Sequence, residues 1–108
     1  MLPESVRIFV CTAPQDMRRS FDGLALATRQ LVGEDPQCGA LFVFVNKLRT
    51  RAKVLWFDKN GYCLLYKRLH RALFELPQAA NDTNVAVRID GRALATLLAG
   101  VEKSRARS

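Results

Sequence analysis

The stretch Leu41–Leu69, LFVFVNKLRTRAKVLWFDKNGYCLLYKRL, constrains the fold more than any other part of the chain. LFVFVN and AKVLWF are dense in Val, Phe, Leu and Trp, which suit a pleated surface, and YCLLYKRL alternates less cleanly; turn-like segments separate all three. The pattern predicts a β-meander. Its first gap, KLRTR, is basic, and its second, DKNG, holds an Asn-Gly pair that tolerates positive φ in a tight hairpin turn. Between Asn46 and Arg71 the basic residues are Lys47, Arg49, Arg51, Lys53, Lys59, Lys67, Arg68 and Arg71, against Asp58 as the one acid. Phe42, Phe44, Trp56, Phe57, Tyr62 and Tyr66 place rings among them, a combination suited to phosphate backbones and exposed bases.

The hairpin register decides which of these side chains share a face. With Asn60 and Gly61 central in a two-residue turn, Lys59 faces Tyr62, Phe57 faces Leu64, Leu55 faces Tyr66 and Lys53 faces Arg68. Val54, Trp56, Asp58, Cys63, Leu65 and Lys67 then lie on the other side. Neither face is cleanly apolar, so packing is expected to stop partway along the hairpin. Opposed Lys53 and Arg68 would repel unless an anion lies between them. A four-residue DKNG loop shifts the register and removes that pairing.

At 108 residues the chain suits a single domain over residues 1–101, with a flexible basic tail over 102–108. Apolar residues make up 49% of the sequence and the body should fold without metal or disulfide staples. The net charge of +7 makes a polyanion, nucleic acid first, the partner to consider. Cys11, Cys38 and Cys63 are odd in number and lack a C-x-x-C pair, which fits free thiols in a reducing cytoplasm. The N-terminus has no signal-peptide pattern and no apolar run approaches the roughly 20 residues needed to span a bilayer, so a cytoplasmic protein is expected.

Before the meander, VRIFVC at Val6–Cys11 reads as a strand. Thr12 with Gln15 fits a capping box that would start a helix at once, with Asp16 complementing its dipole. Phe21, Leu24, Ala25, Thr28, Leu31 and Val32 recur at helical spacing toward the core, Gly23 is a candidate interruption, and Gly33 a candidate cap. Arg18 and Arg19 near that turn either form a solvated face or extend the basic surface. After the meander, LFELP reads as a short strand ended by Pro77, Gln78–Asn84 as a loop and VAVRI as a further strand. Asp90 caps a last helix whose apolar side is Leu94, Leu97, Leu98 and Val101. The sum is an α+β fold: a mostly antiparallel sheet of five or six strands centred on the meander, flanked by an N-terminal and a C-terminal helix.

Catalytic patterns are missing from the sequence. There is no G-x-S-x-G, no phosphate-cradling glycine motif, and the single histidine, His70, sits in a basic turn with no acid to orient it. Asp58 and Asp90 occupy turn and cap positions that favour Asp for structural reasons, and the Cys and His spacings suit no zinc site. No catalytic residue, metal or cofactor is therefore assigned. Trp56 is expected in the core rather than on a base. For the basic meander, the plainer alternative is a solvated sheet face.

DMRRSFDGL at Asp16–Leu24, FVFVNKLRTRAKVLWFDKNGYCLLYKRL at Phe42–Leu69 and the following LFELP resemble the small accessory proteins called TnpB, or Orf2, of bacterial insertion sequences of the IS-sixty-six family. The resemblance runs from Val6 to about Val101 and keeps the motifs in order. Ala72 and Leu76 depart from it, standing where the family often has Gly and Trp. It implies a role in transposition beside a separate, larger transposase that cleaves and joins strands, and it supplies no catalytic residues to carry over. The small protein is distinct from the RNA-guided nucleases that share the label.

The resulting expectation is a non-enzymatic transposition accessory that binds DNA, at element ends or with the transposase. Arg49, Arg51, Lys53, Lys67 and Arg68 would contact phosphates, with Lys47 and Arg71 as outer members. A protein-interaction module docking on the transposase and an RNA-binding protein are the alternatives. Neither a membrane nor a small-molecule substrate is expected.

Overall fold

The computed structural model describes residues 6–78 and 85–103. Five strands form the main sheet: β1 (Ile8–Cys11), β2 (Leu41–Val45), β3 (Arg51–Asp58), β4 (Gly61–Arg68) and, after a two-residue β5 (Ala72–Leu73), β6 (Ala86–Ile89). Their spatial order is β4-β3-β2-β1-β6, and every pairing is antiparallel except β1 with β2. The meander therefore makes one flank of the sheet, with β4 at its edge, and β2 takes the middle. A two-stranded ribbon pairs β5 with β7 (Val101–Glu102).

Parallel β1 and β2 oblige the chain to leave one edge of the sheet and re-enter at the other, and α1 (Phe21–Ala27) is part of that crossover. The capping box expected at Thr12 and Gln15 does not start a helix. Thr12 donates its N–H to the Val85 carbonyl at 2.8 Å and Gln15 to the Val45 carbonyl at 3.0 Å, so both groups tie the segment to strand ends instead. The helix begins at Phe21 and includes Gly23, where a Cβ would stand 3.1 Å from the Arg19 Cβ. It then widens into a π-helical turn over Thr28–Val32, with the Thr28 hydroxyl donating to the Leu24 carbonyl at 2.8 Å and Gly33, at φ 78°, ending it. Leu24, Ala25 and Thr28 are buried as the spacing predicts, but Phe21 and Leu31 are exposed and Ala27 fills the core in their place.

Two apolar clusters follow from the alternation of the strands. Leu24, Ala25 and Ala27 of α1 pack with Cys11, Phe42, Phe44 and Leu55. Leu94 and Leu97 of α2 (Gly91–Ala99) pack with Ile8, Val10, Leu41, Val43, Val45, Val54 and Phe74. The β2 strand contributes to both and is buried along its whole length. Asp90 caps α2 as expected, its Oδ1 accepting the Ala93 N–H at 2.8 Å. LFELP is not a strand: only Ala72 and Leu73 pair, and Phe74 turns into the core. The Gln78–Asn84 loop lies, after Gln78, outside the described residues, as does the tail beyond Lys103.

The hairpin closes through a two-residue turn on Lys59 and Asn60, one place before the expected Asn60-Gly61. Asp58 pairs with Gly61, Phe57 with Tyr62, Leu55 with Leu64, Lys53 with Tyr66 and Arg51 with Arg68. Relative to an Asn60-Gly61 turn, each β3 residue meets a β4 residue two places earlier, a shift that changes partners but leaves every side chain on its face. Gly61 to Leu64 are half-buried and Leu65 to Arg68 exposed, so packing does stop midway. Positive φ falls on Lys59, at 56°, rather than on the Asn-Gly pair.

A non-glycine residue held there is strained by about 1–2 kcal/mol, against the roughly 0.5–1 kcal/mol entropic penalty of glycine. Lys59→Gly should accordingly raise unfolding stability by about 0.5–1 kcal/mol, read from urea denaturation. Gly100, at φ 77°, is the converse case, because a Cβ would sit 2.7 Å from Leu69 Cδ1 and 3.3 Å from the Leu73 carbonyl oxygen. Gly100→Ala should cost about 1–3 kcal/mol in the same measurement.

Candidate nucleic-acid interface

Strand direction gathers a cluster of cations at one edge of the sheet, although Asp16 lies near that edge paired with Arg18, and Lys59 and Arg7 lie on the other. The ends of β1, β2 and β4 and the starts of β3 and β6 share one edge. Along it lie the loop from Asn46 to Thr50, then Arg51, Arg68 and the bend holding His70 and Arg71. The opposite edge carries Asp58 at the end of β3, Asp90 after β6, and Glu34, which accepts from Arg7 at 3.1 Å.

Asn46 builds the loop between β2 and β3. Its Oδ1 accepts the N–H groups of Thr50 and Arg51 at 2.9 and 3.0 Å, and its Nδ2 donates to the Thr50 hydroxyl at 3.2 Å. Arg49 closes the turn at φ 59°. The carbonyls of Arg49 and Thr50 then accept from Phe74 and Leu69, each at 2.8 Å, fixing the loop against the chain that leaves β4. Lys47 and Leu48 project from this frame, Leu48 being 73% exposed.

Arg51 and Arg68 are direct cross-strand partners on one face. At such positions Cβ atoms stand about 4.5–5.5 Å apart and like charges repel. Tyr66, on the same face, accepts a hydrogen bond from Arg51 Nη1 on its hydroxyl at 3.0 Å. The three residues line an open depression of about 250 Å³. Among the described residues neither guanidinium has a carboxylate ion-pair partner. The two-residue register shift thus keeps the opposed-cation feature anticipated for Lys53 and Arg68 and gives it to Arg51 and Arg68.

The other candidates separate. Lys53 does not reach solvent: it is 6% exposed, its Nζ donates to the carbonyls of Met17 at 2.7 Å and Arg19 at 2.6 Å, and the Tyr66 ring centroid lies 4.7 Å away. Lys67 points to the opposite face and donates to the Leu98 carbonyl at 2.7 Å, near the end of α2 where a cation is favoured. Arg71 is exposed in the bend after β4. Arg18 is held by Asp16 at 2.6 Å, and its side-chain hydrogen bonds, then its backbone N–H, draw the Asp16 carboxyl down to about 2. Arg19 donates to the Gln15 side chain at 3.2 Å.

Among the described residues no group of three His, Cys, Asp or Glu side chains is placed to hold a metal. Cys11, Cys38 and Cys63 are free thiols, and burial pushes the Cys11 thiol up. Tyr66 is the member of the site that charge counting missed; its parity with Arg68 along β4 is the signal that finds it.

Because Lys53 satisfies two carbonyls, Lys53→Met should destabilise the fold by about 2 kcal/mol, whereas Lys47→Ala, on the exposed loop, should stay within about 0.5 kcal/mol. Thermal and urea unfolding of the two variants checks the contrast.

Residues 6–108 match the family model described as IS66 Orf2 like protein. Two relatives come from Sinorhizobium fredii. The uncharacterized protein y4hO is 38% identical over 104 residues, covering 94% of this chain and 88% of the relative. The uncharacterized protein y4jC is 31% identical over 100 residues, covering 93% and 83%. No solved structure matches significantly. With the family model spanning the sheet, both helices and the cationic edge, the chain belongs to the IS66 Orf2-like family.

Proposed function

We propose that this protein is a non-enzymatic accessory of insertion-sequence transposition that binds DNA through the cationic edge of its sheet. Membership of the IS66 Orf2-like family supports the setting. The observation that carries the binding is the Arg51–Arg68 pair, two cross-strand arginines over an open depression with no carboxylate ion-pair partner among the described residues. Neighbouring backbone phosphates docked on the pair relieve the repulsion, one accepting from each guanidinium, since guanidinium geometry matches phosphate. Lys47 and Arg71 extend the track on either side, and Arg49 lies in the loop between them. Lys53 and Lys67 drop out of the contact set because each is committed to backbone carbonyls.

The cations gathered at Lys47, Arg51, Arg68 and Arg71 give this edge a local positive field that attracts a polyanion before contact. Contacts of this kind position a protein on DNA without reading sequence, so preference for element ends would arise from DNA shape or from the transposase. Docking on an acidic face of the transposase uses the same edge and differs in one respect: the isolated protein then leaves free DNA unbound.

Fluorescence anisotropy of the full chain against element-end DNA and unrelated DNA, each as duplex and as separated strands, tests the reading over a salt series. Arg51→Ala/Arg68→Ala should lower the magnitude of the log–log salt slope by about two, roughly one per lost phosphate contact. Lys67→Ala should leave it near the wild-type value. Absence of binding to every form at near-physiological salt would transfer the cationic edge to a protein partner.

A further inference from the structure

The Tyr66 ring makes the depression more than a phosphate clamp. One side of the ring lies on the Lys53 ammonium, which is buried beneath it, yet the residue remains 49% exposed. The open side of the ring is therefore the one turned away from Lys53. Its hydroxyl is fixed by Arg51, and Arg68 stands two residues further along the same face of β4. A flat, oriented ring with a guanidinium at its hydroxyl end and another beside it on the strand is a stacking platform with phosphate donors at its rim.

We propose that this platform takes an unpaired nucleobase, so that the ligand of the cationic edge is single-stranded nucleic acid, with a base on Tyr66 and its flanking phosphates on Arg51 and Arg68. The inference rests on the DNA-binding reading above and specifies the form of the strand. In a duplex the base faces are occupied by their neighbours, and Tyr66 would meet only sugar and phosphate. In a single strand a face is free, and any base fills the site because every base has a π-face. The ammonium below and the base above would hold opposite faces of one ring, so Tyr66 serves the folded core and the ligand together. The alternative, that Tyr66 does no more than cover Lys53, gives the ring no part in choosing between strand forms.

The test is anisotropy at near-physiological salt with a labelled mixed-sequence DNA oligonucleotide, the same oligonucleotide as a duplex, and the RNA strand of the same sequence. The wild-type chain should bind the single strand about tenfold more tightly than the duplex. Tyr66→Leu should remove about that factor for the single strand and leave the duplex unchanged, while Tyr66→Phe, which keeps the ring and loses the Arg51 bond, should retain most of the preference. Equal or tighter duplex binding by the wild-type chain overturns the inference without using a variant that might unfold. If that duplex binding still depends on Arg51 and Arg68, the phosphate clamp stands and only the stacking role fails. Loss of equal size for both forms in Tyr66→Leu also overturns it, and failure to bind any strand overturns both readings. RNA bound as well as DNA supports the platform, since the stacking and phosphate chemistry is common to both.

Discussion

A buried ammonium on β3 holds the crossover to the sheet it spans. Among the described residues Lys53 has no carboxylate ion-pair partner, and it takes the carbonyls of Met17 and Arg19. Those carbonyls belong to a segment outside the helix, held by one turn bond from the Arg19 N–H to the Asp16 carbonyl and attached elsewhere by Thr12 to Val85 and Gln15 to Val45. The helix that follows has seven residues before its π-helical turn, too few to persist without packing. Lys53 thus sets where α1 starts, brings Leu24 and Ala27 over Phe42 and Phe44, and supplies the floor on which Tyr66 rests.

Most of the meander was legible because alternation and turn residues act locally, and the faces survived a register error of two residues since side-chain direction repeats with that period. Strand partners did not survive it, because the two-residue turn sits on Lys59-Asn60, one place before the Asn-Gly pair that local turn chemistry favours. The start of α1 was illegible for a different reason. Thr12 and Gln15 fit a local capping pattern, but their backbone groups are claimed by strands distant in sequence. The same limit governs the site. Arg51 and Lys53 lie on one face of β3 and look alike in sequence, and only the crossover passing over one and not the other makes the first a surface group and the second a core group. Lys67 was separable by parity alone, since it alternates with Tyr66 and Arg68.

Asn46 shows how local chemistry prepares a surface. Its side chain completes the hydrogen bonds that the turn from β2 to β3 leaves open, and the loop then bonds to the chain after β4. Conformational freedom in Lys47 to Thr50 is removed when the domain folds, which lowers the entropy lost when a ligand arrives. Charge and order are established together: the residues that frame the cations are neutral amides and hydroxyls, so the frame does not cancel the field it positions.

The place of β4 at the sheet's edge has a consequence for association between copies. Among the described residues no strand lies beyond β4, so its eight residues present one row of backbone donors and acceptors, a template on which another chain can continue the sheet. Its first half is apolar and half-buried; its last two residues are Lys67 and Arg68. In a parallel, in-register stack those cations would align with their own copies, and their mutual repulsion protects the edge from growth. Charges that suit a polyanion thus also disfavour that one mode of sheet extension.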